Sequence, residues 1–139
     1  MIFWDSSALV PLLVDEPDSK LRLKQFGQDP AVAVWWGTPV ECESALQRRL
    51  REKSILPGQV EEAHELLDRV AGDWLEIPPS PALRQLARRL VRTHPLRAAA
   101  ALQLAAALTL VEGGLPRLRF ATADARLKTA APIEGLTVL

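Results

Sequence analysis

The stretch Ile2-Phe3-Trp4-Asp5-Ser6-Ser7-Ala8-Leu9 decides how this chain is expected to fold. Three apolar residues form a short strand that stops at Asp5, and a helix-like segment over residues 6–14 follows at once. Either Ser6 or Ser7 is expected to cap this helix. A strand that passes directly into a helix is typical of α/β proteins, in which the helix leads the chain back to begin a parallel strand.

The same alternation continues through the rest of the chain. Apolar, β-rich segments at 31–35, 74–77, 118–121 and 136–139 predict four further strands, and helical segments separate all of them. With right-handed crossovers, this order predicts a three-layer α/β/α architecture around a central, mostly parallel five-stranded sheet. The fold class is therefore α/β, and residues 1–139 are expected to form one domain.

Composition narrows the function classes. The 17 Lys+Arg balance the 17 Asp+Glu, whereas a protein that coats nucleic acid without specificity should be strongly basic. The single cysteine, Cys42, excludes an internal disulfide and is expected to be a small packing residue. Thirteen of the 17 cations are arginine, so local anion-binding patches are compatible with this balance.

Two features bear on location. The N-terminus has no basic segment before its apolar residues and carries an acid at position 5, so it does not resemble a signal peptide. The longest uncharged apolar stretch, residues 98–111, has 14 residues and falls short of the roughly 20 that a membrane-spanning helix needs. That stretch is expected to be a buried helix. We expect no membrane association and a cytoplasmic location.

Three acids follow three different strands. Asp5 ends the first strand, Glu41 lies in the first turn of the helix after the second, and Asp124 lies just beyond the fourth. In open parallel sheets, ligands collect at the carboxyl ends of the strands, so these acids are expected at one edge. Carboxylate oxygens favour Mg²⁺ or Mn²⁺, which can activate a bound water for attack on a phosphate.

Each acid also has a structural alternative. The spacing Thr38-x-x-Glu41 is a capping-box pattern, with Thr38 as the N-cap and Glu41 complementing the helix dipole. Asp5 and Asp124 each precede a helix and are equally suited to cap it. A shared metal site is favoured only because all three acids recur in the same position relative to a strand.

Four segments together carry a specific resemblance. The chain resembles the PIN-domain ribonucleases, particularly the VapC toxins of toxin–antitoxin pairs, in motifs that follow one another in the expected order over essentially its whole length. These motifs are Asp5-Ser6-Ser7-Ala8-Leu9, Thr38-Pro39-Val40-Glu41-Cys42-Glu43-Ser44-Ala45-Leu46, Leu96-Arg97-Ala98-Ala99-Ala100-Ala101-Leu102-Gln103-Leu104-Ala105 and Phe120-Ala121-Thr122-Ala123-Asp124-Ala125-Arg126-Leu127.

The resemblance implies Mg²⁺- or Mn²⁺-dependent hydrolysis of RNA phosphodiester bonds, with water as the nucleophile. It implies a cognate antitoxin as partner and a homodimer as the assembly. Asp5, Glu41 and Asp124 would be the catalytic and metal-binding acids. Ser7 and Thr122 would be auxiliary hydroxyls beside them, unless they serve only caps and turns. Arg97 would be the auxiliary cation nearest the pocket.

One departure from the family pattern affects the expected activity. The third motif has Ala100 where the family carries an aspartate, so three acids remain where four are implied. Glu43 is no substitute, because two residues correspond to about 200° around a helix. We therefore expect weaker metal binding and impaired cleavage. The alternative is a catalytically degenerate PIN-fold module that binds RNA or an antitoxin without cleaving.

Overall fold

The structure is a computed structural model that describes residues 1–139. It contains five strands and seven helices. In chain order they are β1 (Ile2–Trp4), α1 (Ser6–Leu13), α2 (Ser19–Gln28), β2 (Val32–Trp35), α3 (Thr38–Arg51), α4 (Pro57–Ala71), β3 (Leu75–Ile77), α5 (Pro81–Thr93), α6 (Ala98–Glu112), β4 (Arg119–Ala121), α7 (Ala125–Ile133) and β5 (Thr137–Val138).

The strands form one sheet in the order β3-β2-β1-β4-β5, and every neighbouring pair is parallel. The order runs outward in both directions from β1, so the switch point lies between β1 and β4, where Trp4 pairs with Ala121. Ligand sites of open α/β sheets lie beyond the carboxyl ends of the strands at such a point. The predicted fold class is confirmed, and the sheet is parallel throughout.

Alternate strand residues pack on opposite faces of the sheet, as the two-residue period of a strand requires. Phe3 and Phe120 stack with ring centroids 5.6 Å apart in the core that includes residues of α5, α6 and α7. Ile2 and Trp4 point to the other core, which includes residues of α1, α3 and α4. The helices therefore form the two outer layers of a three-layer fold.

The expected buried helix is α6, whose residues include seven that are buried. It extends one residue beyond the predicted segment, to Glu112. None of the seven helices combines the length and the apolar character needed to cross a bilayer.

The caps of α1 and α3 differ from the predictions. Asp5 occupies the N-cap position of α1, while Ser6 and Ser7 lie inside its first turn, so the prediction of a serine cap is wrong. Thr38 is the first residue of α3 rather than its cap, and no side chain caps that helix. In both helices, the hydroxyls bond to side chains brought close by the fold.

An ion-pair cluster joins the end of α5 to the end of α7. The Glu134 carboxylate accepts hydrogen bonds from both Nη atoms of Arg89, at 3.0 and 2.7 Å, and its Oε1 lies 2.7 Å from His94 Nε2. The bonds from Arg89 are the main reason that the pKa of Glu134 falls to about 2. Such a carboxylate stabilises the fold while it is ionised.

Glu134→Gln is expected to lower the free energy of unfolding by about 1–2 kcal/mol at pH 7, because solvent around Arg89 weakens the pair. The folded pKa lies below the ordinary value of 4.5, so this stabilisation is complete above about pH 5 and is lost as the pH falls towards 2. Urea unfolding of both proteins from pH 7 to pH 2.5 measures the difference. A difference that stays constant over this range would contradict the assignment.

Candidate active site

Asp5 lies at the switch point of the sheet. Its backbone N–H donates to the Ala121 carbonyl at 3.0 Å, so the chain is held against β4 as β1 ends. The side chain is buried, and its Oδ2 accepts hydrogen bonds from Ser7 Oγ and, at 2.9 Å, from Thr122 Oγ1. Burial raises the pKa of Asp5, and the charge of Asp124 raises it further, against the effect of the two hydroxyls.

Asp124 follows β4 and caps α7. Its Oδ1 accepts from the backbone N–H groups of Arg126 and Leu127, at 2.8 and 2.9 Å. The capping alternative is therefore correct for this acid, and its Oδ2 remains without a hydrogen-bond partner. The backbone N–H of Asp124 donates to Thr122 Oγ1 at 3.0 Å. The buried Thr122 hydroxyl thus joins the two acids that flank the switch point.

Glu41 lies in the first turn of α3, but it is not part of a capping box. Its Oε2 accepts from Ser6 Oγ at 2.9 Å, and its Oε1 accepts from Gln103 Nε2 at 3.1 Å. Gln103 also donates to the hydroxyl of the buried Thr38 at 3.0 Å, which removes Thr38 from any capping role. Burial raises the pKa of Glu41, and the charge of Asp5 adds to the effect.

The residue before α3, Gly37, packs closely against the Trp35 indole. A Cβ atom on Gly37 would lie 2.5 Å from Trp35 Nε1, so only glycine leaves room for the indole beneath the helix entrance. Trp35 is buried at this point, at the end of β2. The entrance in turn fixes where the first turn of α3 presents Glu41.

The three acids interact in pairs through Asp5, whose charge acts on Glu41 and which is itself affected by Asp124. A divalent cation would offset the cost of holding buried, mutually repelling carboxylates at Asp5 and Glu41. Their oxygen atoms are also the type of ligand that a hard cation prefers. The donor set falls short in number, because no group of three or more His, Cys, Asp or Glu side chains is arranged to hold a metal ion.

Ala100 lies beside Asp124. A cavity of about 380 Å³ is lined by Ala100, Asp124, Ala125 and two arginines, Arg97 and Arg126. The position at which the resemblance implies an acid is thus apolar, and two cations line the same cavity. Arg97 shares this cavity with Asp124.

A larger cavity opens beside Glu41. It has a volume of about 590 Å³, and its lining includes Ser6, Ser7, Glu41, Arg48 and Arg49. Arg49 is paired with Glu16, whereas Arg48 has no carboxylate within 4.0 Å and is exposed. This cavity connects the acidic site to a free cation.

Neighbours of Glu41 in sequence take no part in the site. Glu43 bonds to Gln47 at 2.8 Å and lies 2.6 Å from His64 Nε2, so it points away from Asp5, as its angular position predicts. Cys42 is fully buried, and its burial together with nearby carboxylates raises its pKa to about 12. The packing interpretation of Cys42 is therefore confirmed.

Sequence reasoning did not assign Ser6 or Gln103 to the site. Both hold the Glu41 carboxylate, and the contact with Gln103 spans 62 residues of sequence. One signal was available, because Gln103 is a polar residue inside an otherwise apolar stretch, and a buried amide needs a partner. No comparable signal distinguishes Ser6 from an ordinary helix-start serine.

Gln103→Leu is expected to lower the free energy of unfolding by about 1–3 kcal/mol, because Glu41 and the Thr38 hydroxyl lose a buried donor. Gln47→Leu is the matched control, since Gln47 donates to Glu43 away from the site, and a change below about 0.5 kcal/mol is expected there. Urea unfolding measures both. If both substitutions changed the free energy of unfolding equally, the hydrogen bonds of Gln103 would contribute no more to stability than an ordinary surface contact.

Comparison with known proteins finds relatives that match nearly the whole chain. No model of a known protein family matches the chain. Two curated relatives from Mycobacterium tuberculosis, Ribonuclease VapC45 and Ribonuclease VapC49, are each 32% identical over 151 residues, covering 99% of this chain and 94% of the relative. A toxin–antitoxin complex from Klebsiella pneumoniae has a similar fold, with a TM-score of 0.66 at 19% identity, covering 100% of this chain and 96% of that one.

The parallel sheet with acids at its switch point defines an α/β protein of the PIN-like type. At this level of identity over nearly the full length of both proteins, the chain belongs to the family of VapC ribonucleases.

Proposed function

We propose that this chain is a VapC-type toxin that hydrolyses RNA phosphodiester bonds with the help of Mg²⁺ or Mn²⁺, and that Ala100 weakens its activity. The observation that carries the proposal is the buried Asp5 at the switch point, whose charge acts on Glu41 and which is affected by that of Asp124. Buried carboxylates whose pKa is raised by desolvation and by one another are typical of functional sites.

The residues have distinct roles in this proposal. Asp5, Glu41 and Asp124 would be the ligands of the cation in this proposal, although this structure does not arrange three such side chains around one point. When bound, the cation would polarise the phosphate and lower the pKa of an attacking water. Ser7 and Thr122 orient the Asp5 carboxylate, and fixing a ligand in this way raises affinity and activity.

Cations in the two cavities that the acids line would position RNA. Arg97 and Arg126 line the smaller cavity, and Arg48 lines the larger one. Phosphate contacts of this kind hold a nucleic acid in register without reading its sequence. Because the whole chain carries no net charge, these local cations would bind RNA at the site without strong non-specific binding elsewhere.

The proposed partners are a cognate antitoxin and a second copy of the chain. Support for the antitoxin comes from family membership and from the fold shared with a toxin–antitoxin complex. A homodimer is proposed from the family alone, and light scattering of the purified protein tests it.

A second candidate function follows from Ala100. With an apolar residue in place of the acid and two arginines beside it, the site is also suited to bind RNA or an antitoxin without cleavage. In that case the chain would be a degenerate module that keeps the fold and the surface but lacks the reaction.

RNA cleavage tests the first candidate against the second. The purified chain, incubated with a fluorogenic RNA, is expected to cleave slowly with Mn²⁺ or Mg²⁺ and to stop when EDTA is added. Cleavage that persists in EDTA would contradict metal dependence. Binding of RNA with no cleavage at any metal concentration would favour the degenerate module.

A further inference from the structure

Arg22 is a buried cation behind the acidic site. It lies on α2 and is 1% exposed. Its Nη2 donates to the carbonyl of Thr122 at 2.8 Å, across 100 residues of sequence. Its Nη1 donates to Gln25 Oε1 at 2.9 Å and to the backbone oxygen of Leu139 at 3.4 Å. The guanidinium thus joins α2 to the residues that follow β4 and β5, with its shortest bond to Thr122.

No Asp or Glu side chain pairs with Arg22 within 4.0 Å, since the ion pairs of the protein involve other residues. Its Nε is buried without any partner. Burying an unpaired charge is costly, and apolar residues of similar volume are often at least as stable at such positions. Stability alone therefore does not account for an arginine here.

Thr122 is the residue through which Arg22 reaches the site. The Thr122 side chain is fully buried, and its hydroxyl donates to Asp5 Oδ2 and accepts from the Asp124 N–H. Its carbonyl is the acceptor of Arg22. A side chain that fixes the Thr122 peptide therefore fixes the direction of the hydroxyl that joins the two acids.

We infer that Arg22 is a positioning residue of the acidic site, which holds the Thr122 peptide so that its hydroxyl stays bonded to Asp5 and to the Asp124 backbone. Its expected effect on cleavage rests on the proposed ribonuclease function, whereas its effect on Thr122 does not. Groups that hydrogen-bond to a metal ligand typically change activity or metal affinity by about 10–100-fold when they are replaced. Arg22 acts one bond further away, through Thr122, so the lower end of this range is expected.

The first measurement uses the metal-free protein and requires no activity. Amide hydrogen exchange of Ala123 and Asp124, followed by NMR, is compared between the unaltered chain, Arg22→Met and Arg22→Lys. Arg22→Met is expected to accelerate exchange at Asp124 about tenfold, because the Thr122 acceptor is no longer held, and Arg22→Lys is expected to restore most of the protection. Arg89→Gln is the control, since it removes an arginine bond remote from these amides.

The second measurement is the division between kcat and KM for RNA cleavage. Arg22→Met is expected to lower kcat about tenfold and to leave KM within about twofold, because the surface cations are untouched. Thr122→Val removes the hydroxyl but keeps the carbonyl that Arg22 contacts. If Arg22 acts through that hydroxyl, Arg22→Met added to Thr122→Val should lower kcat no further.

Normal Asp124 exchange and normal kcat in a folded Arg22→Met protein would overturn the inference, and so would additive effects with Thr122→Val. If Arg22→Met does not fold, Arg22→Gln gives the same decision, because its amide ends short of the Thr122 carbonyl. If no protein cleaves RNA, the proposed function fails, and amide exchange still decides whether Arg22 positions Thr122.

Discussion

Ala100→Asp is expected to raise both Mn²⁺ affinity and RNA cleavage about tenfold or more, an effect equivalent to roughly 1.4 kcal/mol. Residue 100 lines the cavity beside Asp124, so an aspartate there adds carboxylate oxygens to a donor set that is short of ligands. It also lies in the first turn of α6, where a negative charge is favoured by the helix dipole.

Ala99→Asp is the matched control for this prediction. It adds the same charge in the same turn of α6, at an exposed position about 100° further around the helix that does not line the cavity. Manganese binding by calorimetry and cleavage of a fluorogenic RNA measure both variants. An equal gain in the two would show a general charge effect, and no gain in Ala100→Asp would contradict the placement of the missing ligand.

The same experiment separates the two candidate functions. A measurable rate in the unaltered chain, increased by Ala100→Asp, supports an impaired ribonuclease. Cleavage that occurs only after Ala100→Asp supports the degenerate module, in which the fold and the remaining acids persist without the reaction.

Asp5→Asn is expected to lower RNA cleavage at least about 100-fold. The same substitution should leave the free energy of unfolding at pH 7 unchanged or raise it by about 1 kcal/mol. Burial raises the pKa of Asp5 in the folded protein, so its ionisation favours unfolding, and stability linked to this group falls as the pH rises above the ordinary value of 3.8. Asparagine keeps the shape and removes the buried charge.

Asp29→Asn gives a control with the opposite sign. Asp29 accepts from the N-terminal ammonium at 2.5 Å and from Arg119 at 2.6 Å, and the bond from the N-terminus is the main cause of its lowered pKa. Its loss should lower stability by about 0.5–1 kcal/mol and leave cleavage intact. A large loss of stability in Asp5→Asn, or undiminished cleavage, would contradict the role given to Asp5.

The sequence was sufficient to predict the fold because each strand has an apolar run and each connection has helical signals. A mostly parallel sheet, with Asp5 and Asp124 at one edge, was predicted from that order, since strands separated by helices can pair in parallel. The ends of the elements moved by only a few residues. The buried helix, for example, extends to Glu112.

Side-chain contacts inside the site were harder to predict. The local spacing of Thr38 and Glu41 indicated a capping box, but Gln103 and Ser6 bind these residues instead. The capping-box spacing did not predict the contacts, because Gln103, distant in sequence, satisfies the buried Thr38 hydroxyl and the Glu41 carboxylate. Arg22 gave no signal at all, since its burial depends on where α2 meets the end of β4.

Titration of the metal-free protein with Mn²⁺, followed by electron paramagnetic resonance of the free ion, tests the central claim most directly. The account predicts saturable binding of one ion per chain, weakened at least about tenfold by each of Asp5→Asn, Glu41→Gln and Asp124→Asn. Absence of saturable binding, or binding that none of the three substitutions weakens, would contradict a shared metal site at the switch point.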